Sequence, residues 1–126
     1  MRPTIDKTVE RARRRITRVE PAQAAAELAG GALLVDTRTE TQRQRDGSIP
    51  NATVIDRTVL EWRLDPTSPS HIAQVADHHA RVIVICDEGY SSSLAAASLR
   101  TLGLVNVSDV VGGFQAWKSA GLPVER

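Results

Sequence analysis

The chain has 126 residues, 41% hydrophobic and 25% charged, with 16 Lys and Arg against 15 Asp and Glu for a net charge of +1. That length suits one domain with its own core, the balanced charge gives no nucleic-acid or membrane signature, and no apolar run is long enough to span a bilayer. One cysteine excludes an intramolecular disulfide and a resolving thiol, and Met1 to Lys7 lack the apolar stretch of a secretory signal, so a reducing cytoplasm is the expected home.

Residues 4–15 have the pattern of an amphipathic helix, with Thr4 or Asp6 as cap and Ile5, Val9, Ala12 and Ile16 on one face. Arg11, Arg13, Arg14, Arg15 and Arg18 make this end basic. A charge run of this kind is a solvated face in most proteins. Its functional alternative is a docking patch for an acidic partner or nucleic acid, or for a second copy of the chain. No aromatics interleave with the arginines, which argues against single-stranded nucleic acid. Ile16 to Val19 alternates like a short edge strand. Glu20-Pro21 opens a helix through Ala29, and Gly30-Gly31 ends it.

Ala32 to Asp36 is a buried strand ending in a carboxylate. Residues 40–46 form a polar helical run, 47–52 a turn and 53–56 a third strand. A short helix is expected over 58–64, a break at 65–69, and a further helix over 70–79 carrying Ile72, Val75, Ala76 and His79. Val82-Ile83-Val84-Ile85 has the composition of a strand covered on both faces. An Ala- and Leu-rich helix follows it, with Ser91 or Ser92 as N-cap. Asn106 to Val111 is a last strand. Phe114 and Trp117 lie on a final helix, as core residues or, for Trp117, at the rim of a site. Strands alternating with helices predict a mostly parallel five-stranded sheet in an α/β/α sandwich.

Ligands of such sheets sit at the carboxyl ends of the strands. Cys86 stands at one such end and Asp36 at another. The strand, cysteine, tight loop and helix put a thiol where backbone N–H groups converge and a helix dipole is positive. Amides of residues 87–92 can hold an anionic sulfur without a charged side chain. Gly89 permits the backbone conformation, and the Ser91 and Ser92 hydroxyls are candidate additional donors. Tyr90 is either a pocket wall or a solvent-facing tip. Asp36 is a candidate support for the loop, through its N–H groups or through Arg38, or a cap on the next turn. Arg38 would pair with Asp36 or Glu40. His71 and His78 fall two turns apart on the expected helix, but no ligand set completes a metal site.

Four segments in order resemble the single-domain rhodanese (sulfurtransferase) family over residues 16–124. Val35-Asp36-Thr37-Arg38 is similar to its Asp-x-Arg segment, and Gly47-Ser48-Ile49-Pro50-Asn51-Ala52 to its Gly-His-Ile-Pro-Gly-Ala turn. Cys86-Asp87-Glu88-Gly89-Tyr90-Ser91-Ser92 matches its Cys-x-x-Gly-x-Ser-Ser loop. Gly112-Gly113-Phe114-x-x-Trp117 followed by Gly121-Leu122-Pro123 resembles its C-terminal signature. The chain then divides into a basic helical extension, 1–15, and a rhodanese-like domain, 16–126.

The resemblance implies sulfur transfer through a persulfide on Cys86. The donor would be thiosulfate or a persulfide, the acceptor cyanide or a thiol, each a small molecule or a protein. Asp87, Glu88, Gly89, Tyr90, Ser91 and Ser92 would bind the substrate, with Asp36 and Arg38 in support and no metal or cofactor. Many family members carry Arg or Lys in this loop. Here there is none, and Asp87 and Glu88 directly follow the cysteine, which predicts a preference for persulfide donors over dianionic thiosulfate. Two rivals stand beside this reading. One is a catalytically weak binding or redox-sensing module. The other is a cysteine phosphatase, which would need an arginine clamp where this chain has Ser92.

Overall fold

The computed structural model describes residues 2–126. Its centre is a sheet of five strands in the order β1-β5-β4-β2-β3, each neighbouring pair parallel. The strands are β1 (Thr17–Val19), β2 (Leu33–Asp36), β3 (Thr53–Val54), β4 (Val82–Ile85) and β5 (Val107–Val110). The helices are α1 (Ile5–Arg14), α2 (Pro21–Ala29), α3 (Glu40–Asp46), α4 (Leu60–Leu64), α5 (Ser91–Thr101) and α6 (Gly113–Ser119), with a 3-10 turn at Arg57–Val59 leading into α4.

β4 shows why the fold has three layers. All four of its residues are buried, and they alternate between two cores. Val82 and Val84 pack with Leu60, Leu64, Ala95, Ala96 and Leu99 from α4 and α5. Ile83 and Ile85 pack on the other face with Ala24, Phe114 and Trp117 from α2 and α6. Burying each such aliphatic side chain contributes roughly 1.5–3 kcal/mol, so this strand alone anchors both helical layers. Trp117 belongs to the core, with its Nε1–H donating to Pro123 O at 2.9 Å.

The expected helix over 70–79 is absent. That segment is a series of turns. Asp77 Oδ1 accepts from His79 N, which a helix would commit to Val75 O, and Val75 N turns to Ile72 O at 3.1 Å. Ile72 and Val75 still reach the core, but from turns. His71 and His78 therefore share no helix face. Thr4, and not Asp6, caps α1 by accepting from Lys7 N. Asn51 adopts φ +68° in the 47–52 turn, a left-handed conformation that asparagine tolerates better than most residues.

Candidate functional site

The chain leaves β4 toward β5 on one side and leaves β2 toward β3 on the other. The loops at these two carboxyl ends therefore diverge and leave a crevice, as in other sheets of this kind. The crevice is a cleft of about 440 Å³ lined by Thr37, Arg38, Thr39, Gln42, Arg57, Cys86, Asp87, Glu88, Tyr90 and Ser91.

Cys86 lies at its base, 5% exposed. Two backbone donors aim at its sulfur: Gly89 N at 3.2 Å and Ser92 N at 3.3 Å. The expectation that Ser91 or Ser92 caps α5 is not met. Tyr90 occupies the N-cap without a side-chain bond, and the sulfur itself accepts from the first turn. Nor does the Ser92 hydroxyl face the sulfur. It donates to Asp109 Oδ2 at 2.8 Å, as does Ser93 Oγ at 2.7 Å. Ser91 is exposed at the cleft wall. Tyr90 is both wall and tip: it lines the cleft and remains 60% exposed.

The loop is pinned from behind by α6. Phe114 N donates to Cys86 O at 2.8 Å and Gln115 N to Asp87 O at 3.0 Å. Gly113 lets the two segments meet, because a Cβ there would fall 2.6 Å from Cys86 O. This close approach gives the Gly-Gly-Phe sequence a physical role.

Asp36 and Arg38 are both buried and form a bonded pair. Arg38 Nη2 lies 2.8 Å from Asp36 Oδ2, and Arg38 N donates to Asp36 Oδ1 at 3.0 Å. Arg38 Nη2 also reaches Gly47 O, and its guanidinium lies 3.7 Å from the centroid of the Phe114 ring. Glu40 is not its partner. Asp36 thus orients Arg38, which joins the β2 loop to the 47–52 turn and to α6. Its Nη1 is buried without a hydrogen-bond partner among the described residues.

The two carboxylates after Cys86 part company. Asp87 Oδ1 accepts from Gln115 Nε2 at 3.0 Å and lies 3.6 Å from Arg45 Nη2. Glu88 is exposed. Beside Asp87, the hydrogen bond from Arg45 holds the Asp46 carboxyl at about 2, with Gln115 and Lys118 adding to it against partial burial. Arg57 supplies a second guanidinium to the cleft, bound through Nη1 to both Glu61 oxygens at 2.8 and 2.9 Å.

Sequence reasoning missed four residues around this loop. Arg57 lines the cleft. Asp109 is fully buried on β5 and collects Ser92, Ser93 and Arg18. Arg13 and Arg18 both donate to Gly89 O. Only Asp109 left a signal in the sequence: a carboxylate inside a strand otherwise fit for burial needs a partner.

The Rhodanese-like domain family model matches residues 20–120. The thiosulfate sulfurtransferase GlpE of Pseudomonas entomophila is 38% identical over 102 residues, 81% of this chain and 84% of that one. A solved structure of a protein of unknown function from Rhodopseudomonas palustris, described as a possible tyrosine phosphatase, superposes with a TM-score of 0.88 at 31% identity, covering 99% and 96% of the two chains. A rhodanese-related protein from Thermoplasma volcanium gives 0.65 at 28% identity, covering 86% of this chain and 96% of its own. Together with the amide-lined cysteine at the carboxyl end of β4, these matches show that the chain belongs to the rhodanese-like domain family.

Proposed function

We propose that the protein is a sulfurtransferase that carries sulfane sulfur on Cys86. The observation that carries this reading is the convergence of Gly89 N and Ser92 N on Cys86 Sγ at the base of an open cleft. A thiolate there attacks the sulfane sulfur of the donor. With thiosulfate, the new bond joins Cys86 Sγ to that sulfur, the old sulfur–sulfur bond breaks, and sulfite leaves with the electron pair. The outer persulfide sulfur is anionic, and inward-aimed amides stabilise it without reorganising. A nucleophile such as cyanide or a thiol then attacks the outer sulfur, and the Cys86 thiolate departs with the electrons of the broken bond.

Asp87, Glu88, Gly89, Tyr90, Ser91 and Ser92 shape the substrate side of this cleft, with Asp36 and Arg38 in support. Asp87 is engaged by Gln115 and Arg45, while the two arginines lining the cleft, Arg38 and Arg57, are each paired with a carboxylate, Asp36 and Glu61. The engagement of Asp87 reduces the repulsion of a dianionic donor expected from Asp87 and Glu88, so thiosulfate stands beside persulfides as a candidate donor. A phosphatase reading finds no support at position 92, where Ser92 binds Asp109 in place of a phosphate clamp.

No helix among the described residues is long and apolar enough to cross a membrane. A reducing, cytoplasmic setting fits a lone working thiol. A protein donor, acceptor or second copy approaching α1 would meet the exposed Arg11 and Arg15. The test is thiocyanate release from cyanide with thiosulfate, and separately with a persulfide donor. Turnover with either, lost in Cys86→Ala, supports transfer. A folded protein inactive with both is the redox-sensing module instead.

A further inference from the structure

The loop contains no cationic residue, yet two guanidiniums reach it from behind. Arg13 on α1 donates through Nη2 to Gly89 O at 2.9 Å and through Nε to Ser93 Oγ at 3.0 Å. Arg18 on β1 donates through Nη2 to the same Gly89 oxygen at 3.0 Å and through Nε to Asp109 Oδ1 at 2.8 Å. Ser93 closes the circuit by donating to Asp109. Arg13 also lies over the Tyr90 ring, 5.4 Å from its centroid. Both arginines precede the 20–120 segment matched by the family model. α1 is held in place to deliver Arg13, with Val9 and Ala12 buried.

We infer that Arg13 and Arg18 are positioning residues that hold the Gly89–Tyr90 peptide and polarise it toward the sulfur site. The inference rests on the sulfurtransferase reading for its consequence, though not for its geometry. The peptide is trans, so its N–H points away from its carbonyl. Fixing Gly89 O on the two guanidiniums directs Tyr90 N–H to the opposite side, toward the cleft that Tyr90 lines. There it joins Gly89 N and Ser92 N as a donor to the outer persulfide sulfur. Charge-assisted bonds to the carbonyl also make that N–H a better donor. The arginines therefore act on the sulfur through the peptide, without touching it, and the basic N-terminal helix becomes part of the site's machinery.

The test uses the full chain, with Arg13→Met, Arg18→Met and Arg13→Lys, and with Arg14→Met as a control on the exposed neighbouring ion pair to Glu10. Folding is checked by thermal unfolding. The first readout is the ratio of Cys86 alkylation by iodoacetate to that by iodoacetamide, which reports local positive potential and needs no sulfur transfer. The second is the lifetime of the Cys86 persulfide by intact mass. Arg13→Met is expected to lower both by about tenfold, the scale of one lost charge-assisted hydrogen bond. Arg13→Lys should recover part of the loss, and Arg14→Met should match the parent. A folded Arg13→Met with both readouts unchanged overturns the inference. So does an Arg14→Met that loses as much as Arg13→Met, because general charge would then explain the effect. If the parent forms no persulfide, the sulfurtransferase reading fails, and the alkylation ratio alone decides whether the arginines set the potential at Cys86.

Discussion

The backbone N–H of Gly89 reaches Cys86 Sγ across 3.2 Å while Gly89 holds a φ of +87°. A side chain would strain that backbone, and a Cβ would stand 2.7 Å from Gly112 N. Gly89→Ala is therefore expected to cost roughly 2 kcal/mol or more and to lose most sulfur-transfer activity. Gly31, with φ +104° and nothing within 4 Å of an added Cβ, separates strain from collision. Gly31→Ala should destabilise less and leave transfer intact. Urea unfolding and steady-state turnover check both variants.

Arg57 faces the cleft with Arg38 and is fastened to Glu61. Removing a cation that meets a dianionic donor in both ground and transition states raises KM more than it lowers kcat. Arg57→Ala should raise the KM for thiosulfate by about tenfold and change kcat by less than about threefold. A singly charged persulfide donor should be less affected. Equal losses with both donors would mean Arg57 serves the fold.

Glu61 gives a pH signature. Burial pushes its carboxyl up, but hydrogen bonds from Ser98, its own backbone N–H and Arg57 outweigh that, and it ends below the ordinary glutamate value. A carboxylate lowered by folding contributes stability that is full above its unfolded pKa, about 4.3. That stability is lost as the pH falls through the folded value. Glu61→Gln should be less stable than the parent at neutral pH, and the two should converge in acid. Urea midpoints across the acid range measure this.

Asp109 binds Arg18, Ser92 and Ser93 while fully buried. Asp109→Ala leaves the Arg18 guanidinium and two hydroxyls without their partner. The expected loss is about 3 kcal/mol, with transfer falling as the α5 N-terminus loosens. Asp109→Asn keeps the shape and should lose less of both. Denaturant unfolding with parallel turnover assays gives the comparison.

The residues visible in the sequence were those whose roles are local. Cys86 ends a strand of unbroken aliphatics, and Asp36 and Arg38 lie two residues apart, so their pairing needed no knowledge of the fold. The supports behind the loop are remote. Arg18 meets Asp109 because β1 pairs with β5 in a register that sets those two positions side by side. Arg13 reaches Ser93 across 80 positions of sequence. Neither relation exists until the sheet and α1 are assembled. The 70–79 segment misled for the opposite reason. Ile72 and Val75 have helix-compatible spacing, but the Asp77 side chain takes His79 N and Ile72 O takes Val75 N, which closes the local backbone into turns. Ser92 is a mixed case: its position in the loop was legible, while the direction of its hydroxyl depended on a buried carboxylate 17 residues away.

The claim beneath all of this is that Cys86 can store one sulfur atom facing the Gly89 and Ser92 amides. Intact-mass spectrometry of the full chain after brief exposure to thiosulfate, or to a persulfide donor, and removal of excess reads it directly. The account predicts a gain of one sulfur in the parent, none in Cys86→Ala, and return to the original mass on adding cyanide. A well-folded parent that gains no sulfur from either donor, or a Cys86→Ala chain that gains it equally, would contradict it.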